Sequence, residues 1–261
     1  MKKRSYVTFF NNNEKYINLS NVMIKSIKTF SVYPIEVYNE KNFNINIDES
    51  NFSKMMIYKI LSIKKALDKY DEVIWLDIDI VVNEKIDMLW DNFKRINKYP
   101  LLANNRFDNF IDPPYDINNI VNNYENFNNF KNKIGLTKNI INWRQACVIA
   151  SNKSCYNFLN EINDHLLMDN IVSDEDIFNF LYLKYNFNDS LGDIFICSEY
   201  FVGILNDMVF FNEKDYLRFF NEKILLKTNN YNNICLYHGQ KDDKISEMLF
   251  LNIMNNYKKL N

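Results

Sequence analysis

Two hydrophobic periods alternate along the first eighty residues. Tyr6 to Phe10 is a short apolar-rich run closed by Asn11, Asn12 and Asn13, which predicts a buried strand ending in a turn. From Glu14 to Phe30 the residues Ile17, Val22, Ile24, Ile27 and Phe30 fall at helical spacing and predict an amphipathic helix. Ile35 to Tyr38, after Pro34, predicts a second strand. Met56, Ile60, Ile63 and Leu67 share one face of a helix running to about Lys69, with Ser53 as a candidate N-cap. Glu72 to Leu76 predicts a third strand. Strand and helix in alternation is the pattern of a mostly parallel α/β sheet with right-handed crossovers. Ligands of such sheets lie beyond the carboxyl ends of the strands.

The second half alternates less regularly. Leu101–Ala103, Ala146–Ala150, Ile194–Cys197 and Ile234–Tyr237 predict short strands, and Ile117–Lys133, Lys153–Leu167 and Asp174–Tyr185 predict helices. No internal repeat and no Pro/Ser/Gly linker divides the chain, so one domain is expected, with residues 1–83 and 84–261 as its two halves.

Composition narrows the functional classes. A chain of 261 residues that is 47% hydrophobic can bury a full core. Lys+Arg 31 against Asp+Glu 33 leaves no broad basic field, which argues against nucleic acid as a partner. Cys147, Cys155, Cys197 and Cys235 lack Cys-x-x-Cys spacing and read as reduced thiols in or near a core. The basic start, Met1 to Arg4, runs into the asparagine turn without the apolar segment of a signal peptide, and no apolar run approaches a membrane span. A cytoplasmic location is the expectation, with contact at a membrane surface left open. The asparagine-rich stretch at 118–132 is interleaved with Ile, Tyr and Phe, so it is not read as a disordered tract.

Against this pattern, Asp77 and Asp79 stand out at the end of the third strand, between Val73–Leu76 and Ile80–Val82. If the strand continued through them, residues two apart would project to one face and the carboxylates would converge. Two like charges held close need neutralising, and a divalent cation does that; Mg²⁺ and Mn²⁺ prefer carboxylate oxygens and commonly carry nucleotide phosphates. The alternative is an acidic surface turn shared with Asn83, Glu84 and Asp87. A calcium loop of EF-hand type fits badly, because counted from Asp77 its sixth position is Val82 and its twelfth Met88.

The stretch from Lys59 through Asp77, Ile78 and Asp79 to Val82, followed by Ile86 to Trp90, resembles the centre of a GT-A nucleotide-sugar glycosyltransferase. Val7 to Tyr16, then Val22 to Ile27, is similar to the nucleotide-binding first strand and helix of that fold. Ser173 to Asn179 resembles the Asp-Gln-Asp-x-x-Asn segment of family-eight glycosyltransferases, and Tyr237 to Lys241 resembles their C-terminal His-Gly-Lys segment. Two departures are visible: His238, Gly239 and Lys241 are compressed, and the family's Asn-x-Gly strand appears as Arg144 to Val148 without the glycine.

The resemblance implies a single GT-A, Rossmann-like α/β domain with a central mostly parallel sheet. It implies an enzyme that moves a sugar from a nucleotide-diphosphate donor, expected to be a UDP-sugar, to a glycan or glycoconjugate, with retention of configuration. Asp77, Asp79 and His238 would hold Mn²⁺ (or Mg²⁺), and Thr8, Phe9, Tyr16, Lys59, Asp77, Ile78, Asp79 and Lys241 would bind the donor. Asp174 and Asp176 would position hydroxyls at the catalytic centre. Each has a plainer reading: His238 as a structural or surface histidine, Lys59 as a solvated helix lysine beside Lys64 and Lys65, and Tyr16 as a core or rim aromatic. Asp174 and Asp176 read equally as an N-cap and a first-turn acid. His165 is read as structural.

Two other classes compete. A haloacid-dehalogenase-type phosphatase would use Asp77 as nucleophile, but Cys197 stands where its later aspartate belongs after Gly192-Asp193. A non-catalytic sugar-nucleotide or glycan-binding module would bind nucleotide without releasing UDP. No Gly-rich phosphate loop or Walker sequence occurs.

Overall fold

A computed structural model of the chain describes residues 2–11, 13–45, 47, 55–104, 132, 135, 144–168, 174–192, 195–197 and 236–238, with 246–247, 249–251 and 253–255 near the C-terminus. The chain divides into two compact units that interleave along the sequence. One comprises Met1–Phe9, Glu36–Leu76 and Asp91–Asp193; the other comprises Phe10–Ile35, Asp77–Trp90 and Ile194–Asn261.

The first unit is built on a five-stranded sheet. In chain order its strands are β1 (Arg4–Phe9), β2 (Ile35–Tyr38), β3 (Glu72–Leu76), β5 (Leu101–Asn104) and β6 (Arg144–Asn152), and in space they run β2-β1-β3-β6-β5. The sheet is mixed around a parallel core: β1 and β3 are parallel, whereas β6 is antiparallel to both β3 and β5. Central β3 is buried at every position, which is why its sequence is a continuous apolar run rather than an alternation. Its one charge, Glu72, is balanced at the strand's start by Lys2 at 2.5 Å and by Arg4 Nε at 2.8 Å.

Helix α2 (Ile57–Leu67) contributes Ile57, Tyr58, Ile60, Ile63, Ala66 and Leu67 to the core. It starts from Met56 with no side-chain cap and ends at Leu67, two residues short of expectation; Ser53 lies outside the described residues. Lys153–Cys155 forms a 3-10 turn capped by Asn152, then α3 (Tyr156–Met168) follows. Helix α4 (Asp174–Lys184) is buried at eight consecutive or near-consecutive positions from Asp174 to Tyr182, the mark of a helix enclosed on several sides. The helix expected over 117–133 falls outside the described residues but for Asn132.

The second unit holds α1 (Glu14–Phe30), bounded as its periodicity predicts, and a small sheet of order β4-β8-β7. Its strands are β4 (Val81–Val82), β7 (Phe195–Cys197) and β8 (Leu236–His238). Val81, Leu249 and Phe250 form its core, with Val22, Phe30, Ile253 and Met254 packed around them. Ser26 ties α1 to β4 by accepting from the Val82 amide at 3.2 Å. Ser31 donates to Asp87 at 2.5 Å, beside the Tyr33–Trp90 ring contact. Among the described residues no helix is long and apolar enough to cross a membrane.

Candidate functional site

The aspartate pair sits in a turn, not on a strand. β3 stops at Leu76, residues 78–79 form a turn, and the Ile80 amide closes it on the Asp77 carbonyl at 3.2 Å before β4 begins. The strand period therefore does not align the two carboxylates. They leave the central strand at its carboxyl end, and Asp77, Ile78 and Asp79 are all half-buried between fully buried Leu76 and Ile80.

Strand β8 brings a distant part of the chain to the same turn within this unit. It is antiparallel to β4, with Val81 opposite Tyr237 and Val82 opposite Leu236. One step further along that ladder leads to His238 on β8 and to Ile80, next to Asp79, on the other side. His238 is paired with Cys197 of β7, which fixes its backbone on that flank. The His238 side chain and Lys241 lie outside the described residues. Two half-buried carboxylates on a tight turn are a donor set that suits a hard divalent cation. Among the described residues no group of three His, Cys, Asp or Glu side chains gathers, so these aspartates are the donors on view.

Thr8 and Phe9 end the strand beside β3. Thr8 is fully buried and its hydroxyl donates to the Leu76 carbonyl at 2.8 Å, which makes it a fastener between the carboxyl ends of β1 and β3. Phe9 is half-buried and stacks on Tyr58 of α2, with ring centroids 4.7 Å apart and planes 8° from parallel. Phe43 tilts against both rings, and the Lys65 ammonium lies over it at 5.5 Å. Tyr16, on the first turn of α1, is exposed. His165 is half-buried on α3 and lends its charge to lowering the pKa of Glu161, in keeping with a structural role.

Lys59 departs from the solvated reading. It is 6% exposed, and its ammonium meets Asp174 Oδ2 at 2.7 Å, off the line of a hydrogen bond, so the contact is a buried ion pair. The same ammonium donates to the Ala146 carbonyl at 3.0 Å and lies 5.7 Å from the centre of the Trp75 ring. Lys64 and Lys65, its sequence neighbours, reach the surface groups Asn160 Oδ1 and the Asn42 carbonyl instead.

Sheet geometry explains why a lysine is buried there. The β3–β6 ladder runs from Glu72 opposite Asn152 to Leu76 opposite Val148, so Arg144 to Cys147 overhang the end of β3. On β6's other edge the register slips: β5 advances from Leu102 to Ala103 while β6 moves from Ile149 to Gln145. In an antiparallel strand, residues two apart turn their N–H and C=O to the same side. The peptide groups of Ala146 and Arg144 thus face where β3 would have continued, and buried backbone groups need partners. Side chains from α2 and α4 supply them. Glu175 accepts from the Ala146 amide at 3.1 Å, beside Lys59 on the carbonyl of the same residue. The Asn179 amide accepts from Arg144 N at 2.8 Å and donates to Arg144 O at 2.7 Å, as a neighbouring strand's peptide would. Asn179 also donates to the Glu175 carbonyl at 2.8 Å, bracing the first turn of α4.

Asp174 and Asp176 both lie in that first turn and both are 5% exposed. Two positions on a helix diverge by about 200°, so only Asp174 points at Lys59. The sequence reading passed over Glu175 and the pairing role of Asn179. The signal was present for the asparagine, which closes the Asp-x-Asp-x-x-Asn pattern.

Residues 3–144 match the sequence profile of Glycosyl transferase family 8. No curated protein matches the chain by sequence. A glycosyltransferase involved in the glycosylation of the major capsid of PBCV-1 has the same fold, with 10% identity over 94% of this chain and 98% of its own at a TM-score of 0.54. The bifunctional glycosyltransferase WbbM is similar at 15% identity and a TM-score of 0.51, covering 98% of this chain and 51% of the larger protein. At these identities the likeness is one of fold. The sequence match removes the phosphatase reading and carries with it transfer from a nucleotide-sugar donor, in a family whose members retain configuration. The chain belongs to glycosyl transferase family 8 and is a glycosyltransferase of the GT-A fold.

Proposed function

We propose that this enzyme transfers a hexosyl group from a UDP-sugar to a glycan or glycoconjugate acceptor, with retention, and that it depends on Mn²⁺ or Mg²⁺. The observation that carries this reading is the turn at the end of β3, with two half-buried aspartates beside the strand that delivers His238. Asp77, Asp79 and His238 would hold the cation and Lys241 would pair with the donor diphosphate. When bound, the cation supplies neutralisation of the diphosphate as the sugar–phosphate bond breaks. Asp174, held against Lys59, orients sugar hydroxyls, and Asp176 shapes the same turn. Retention requires no separate strong base at the acceptor.

Phe9, the last residue of β1, and Tyr16, in the first turn of α1, are each an aromatic candidate for stacking on the nucleobase. The two units together would make one glycosyltransferase domain, working in the cytoplasm. A panel of nucleotide sugars, each assayed for release of UDP with Mn²⁺ and with EDTA, tests the reading. Metal-dependent turnover of one donor supports it. Failure of every donor to bind or react under both conditions sinks it, and nucleotide binding without turnover would favour the non-catalytic module.

A further inference from the structure

We propose that Lys59 is a positioning residue, not a ligand of the donor diphosphate: it locks the first turn of α4 to the overhang of β6, so that Asp174 meets the sugar in one orientation. This rests on the proposed role of Asp174 in glycosyl transfer.

Three observations lead to it. The lysine is buried on a helix whose other lysines are at the surface, and its ammonium already has an anion within 2.7 Å. It grips the Ala146 carbonyl while Glu175, the residue after Asp174, grips the Ala146 amide. The two backbone groups of one residue are therefore held along the same strand edge, the carbonyl through α2 and the amide through α4. That residue lies in the part of β6 that neither β3 nor regular pairing with β5 secures. A buried ion pair adds little net stability compared with apolar residues, so its physical value here is a fixed carboxylate position.

The experiment compares wild type with Lys59→Met, Asp174→Asn, the double variant and Lys59→Arg, using hydrolysis of whichever UDP-sugar the panel identifies. Lys59→Met is expected to lower kcat by about tenfold or more while the donor KM stays within about threefold, the signature of an interaction that matters in the transition state. The double variant is expected to be no slower than the slower single one, because the two residues act as a unit. Lys59→Arg should recover part of the rate by restoring the charge.

If Lys59→Met leaves Asp174 unpaired and the protein fails to fold, the double variant, which has neither charge, carries the same test of kcat against KM. A rise of about tenfold in donor KM with kcat preserved, or additive losses in the double variant, would overturn the proposal. Amide exchange gives a readout that needs no turnover: in the Lys59→Met or double variant, segments 144–147 and 174–179 should both exchange faster. Acceleration of one segment alone refutes the lock. Joint acceleration in a protein that turns over no nucleotide sugar would keep the lock and discard the transfer role assigned to Asp174.

Discussion

Val81 of β4 stands opposite Tyr237 of β8, and the next step along this antiparallel pair leads to Ile80 on one side and His238 on the other. A histidine remote in sequence thereby has its backbone anchored next to the Asp77–Asp79 turn.

The proposed cation site follows from that anchoring. Asp77→Asn and Asp79→Asn should each lower turnover by about 10²-fold or more, the scale for removing one electrostatic element from an active site. His238→Ala should raise the Mn²⁺ concentration for half-maximal rate at least about tenfold, the size of losing even an outer-shell partner. EDTA should abolish turnover, and Mn²⁺ or Mg²⁺ should restore it. Full activity in EDTA would contradict this assignment.

Thr8→Val keeps the shape of the side chain and removes the bond to the Leu76 carbonyl. Leaving a buried acceptor short of a partner costs about 1–3 kcal/mol. Urea denaturation should show a lower midpoint with an unchanged slope. No change in midpoint would mean that the carbonyl finds other satisfaction.

Asn179→Ala removes a side chain that bonds both peptide groups of Arg144 and the Glu175 carbonyl. The expected loss is roughly 3 kcal/mol, since several buried polar groups lose their partners together. Asn179→Asp keeps the acceptor and loses the donors, so it should be destabilised as well. Denaturation of the two variants at neutral pH tells whether donor or acceptor matters more.

Acid should weaken the fold through two surface carboxylates. Burial works to raise the Glu36 carboxyl, but the bonds from Lys69 and Tyr70, the Lys69 charge and the Tyr38 hydroxyl outweigh it and hold its pKa below the ordinary value. Glu161 is lowered in the same way: burial opposes, while Lys184, Tyr185 and the His165 charge prevail. A carboxylate with a lowered folded pKa contributes stability that is complete above its unfolded value, about 4.3 for glutamate, and is lost as pH falls through the folded one. Denaturation midpoints should therefore drop below that pH. Glu36→Gln and Glu161→Gln should each flatten part of the drop; an unchanged profile in both would exclude these groups as its source.

Cys147 and Cys155 should resist labelling. Both are buried thiols outside any disulfide, and burial pushes the Cys155 thiol up to about 11. Thiolate is the reactive form. Native protein should show neither position modified by a thiol reagent in peptide mapping, and denatured protein should show both; rapid native labelling of Cys155 would refute its burial.

Where local chemistry decided structure, the sequence was readable. The period of α1 and the apolar run of β3 each match their elements because a single burial pattern governs them. The Asp-x-Asp segment was legible as chemistry but not as geometry. Whether a strand continues past Leu76 depends on neighbours, and β3 ends where its pairing with Val7 of β1 and Val148 of β6 ends. Lys59 was ambiguous for a related reason. A helical lysine beside two others looks solvated until the overhang of β6 past the end of β3, a strand far along the chain, places a bare carbonyl within its reach. Long-range register has no signature in a window of residues.

The overhang of β6 has an evolutionary consequence. From Val148 to Asn152 the strand is held by the backbone of β3, which accepts almost any side chain of suitable size. Beyond β3, the backbone of Arg144 and Ala146 is held on that edge by Lys59, Glu175 and Asn179, which grip peptide groups and not the side chains of the overhang itself, while β5 pairs with Arg144 and Gln145 on the other edge. The half-buried Gln145 can therefore drift without disturbing either set of grips. A lineage could diversify what that position touches while the sheet beneath it is inherited unchanged.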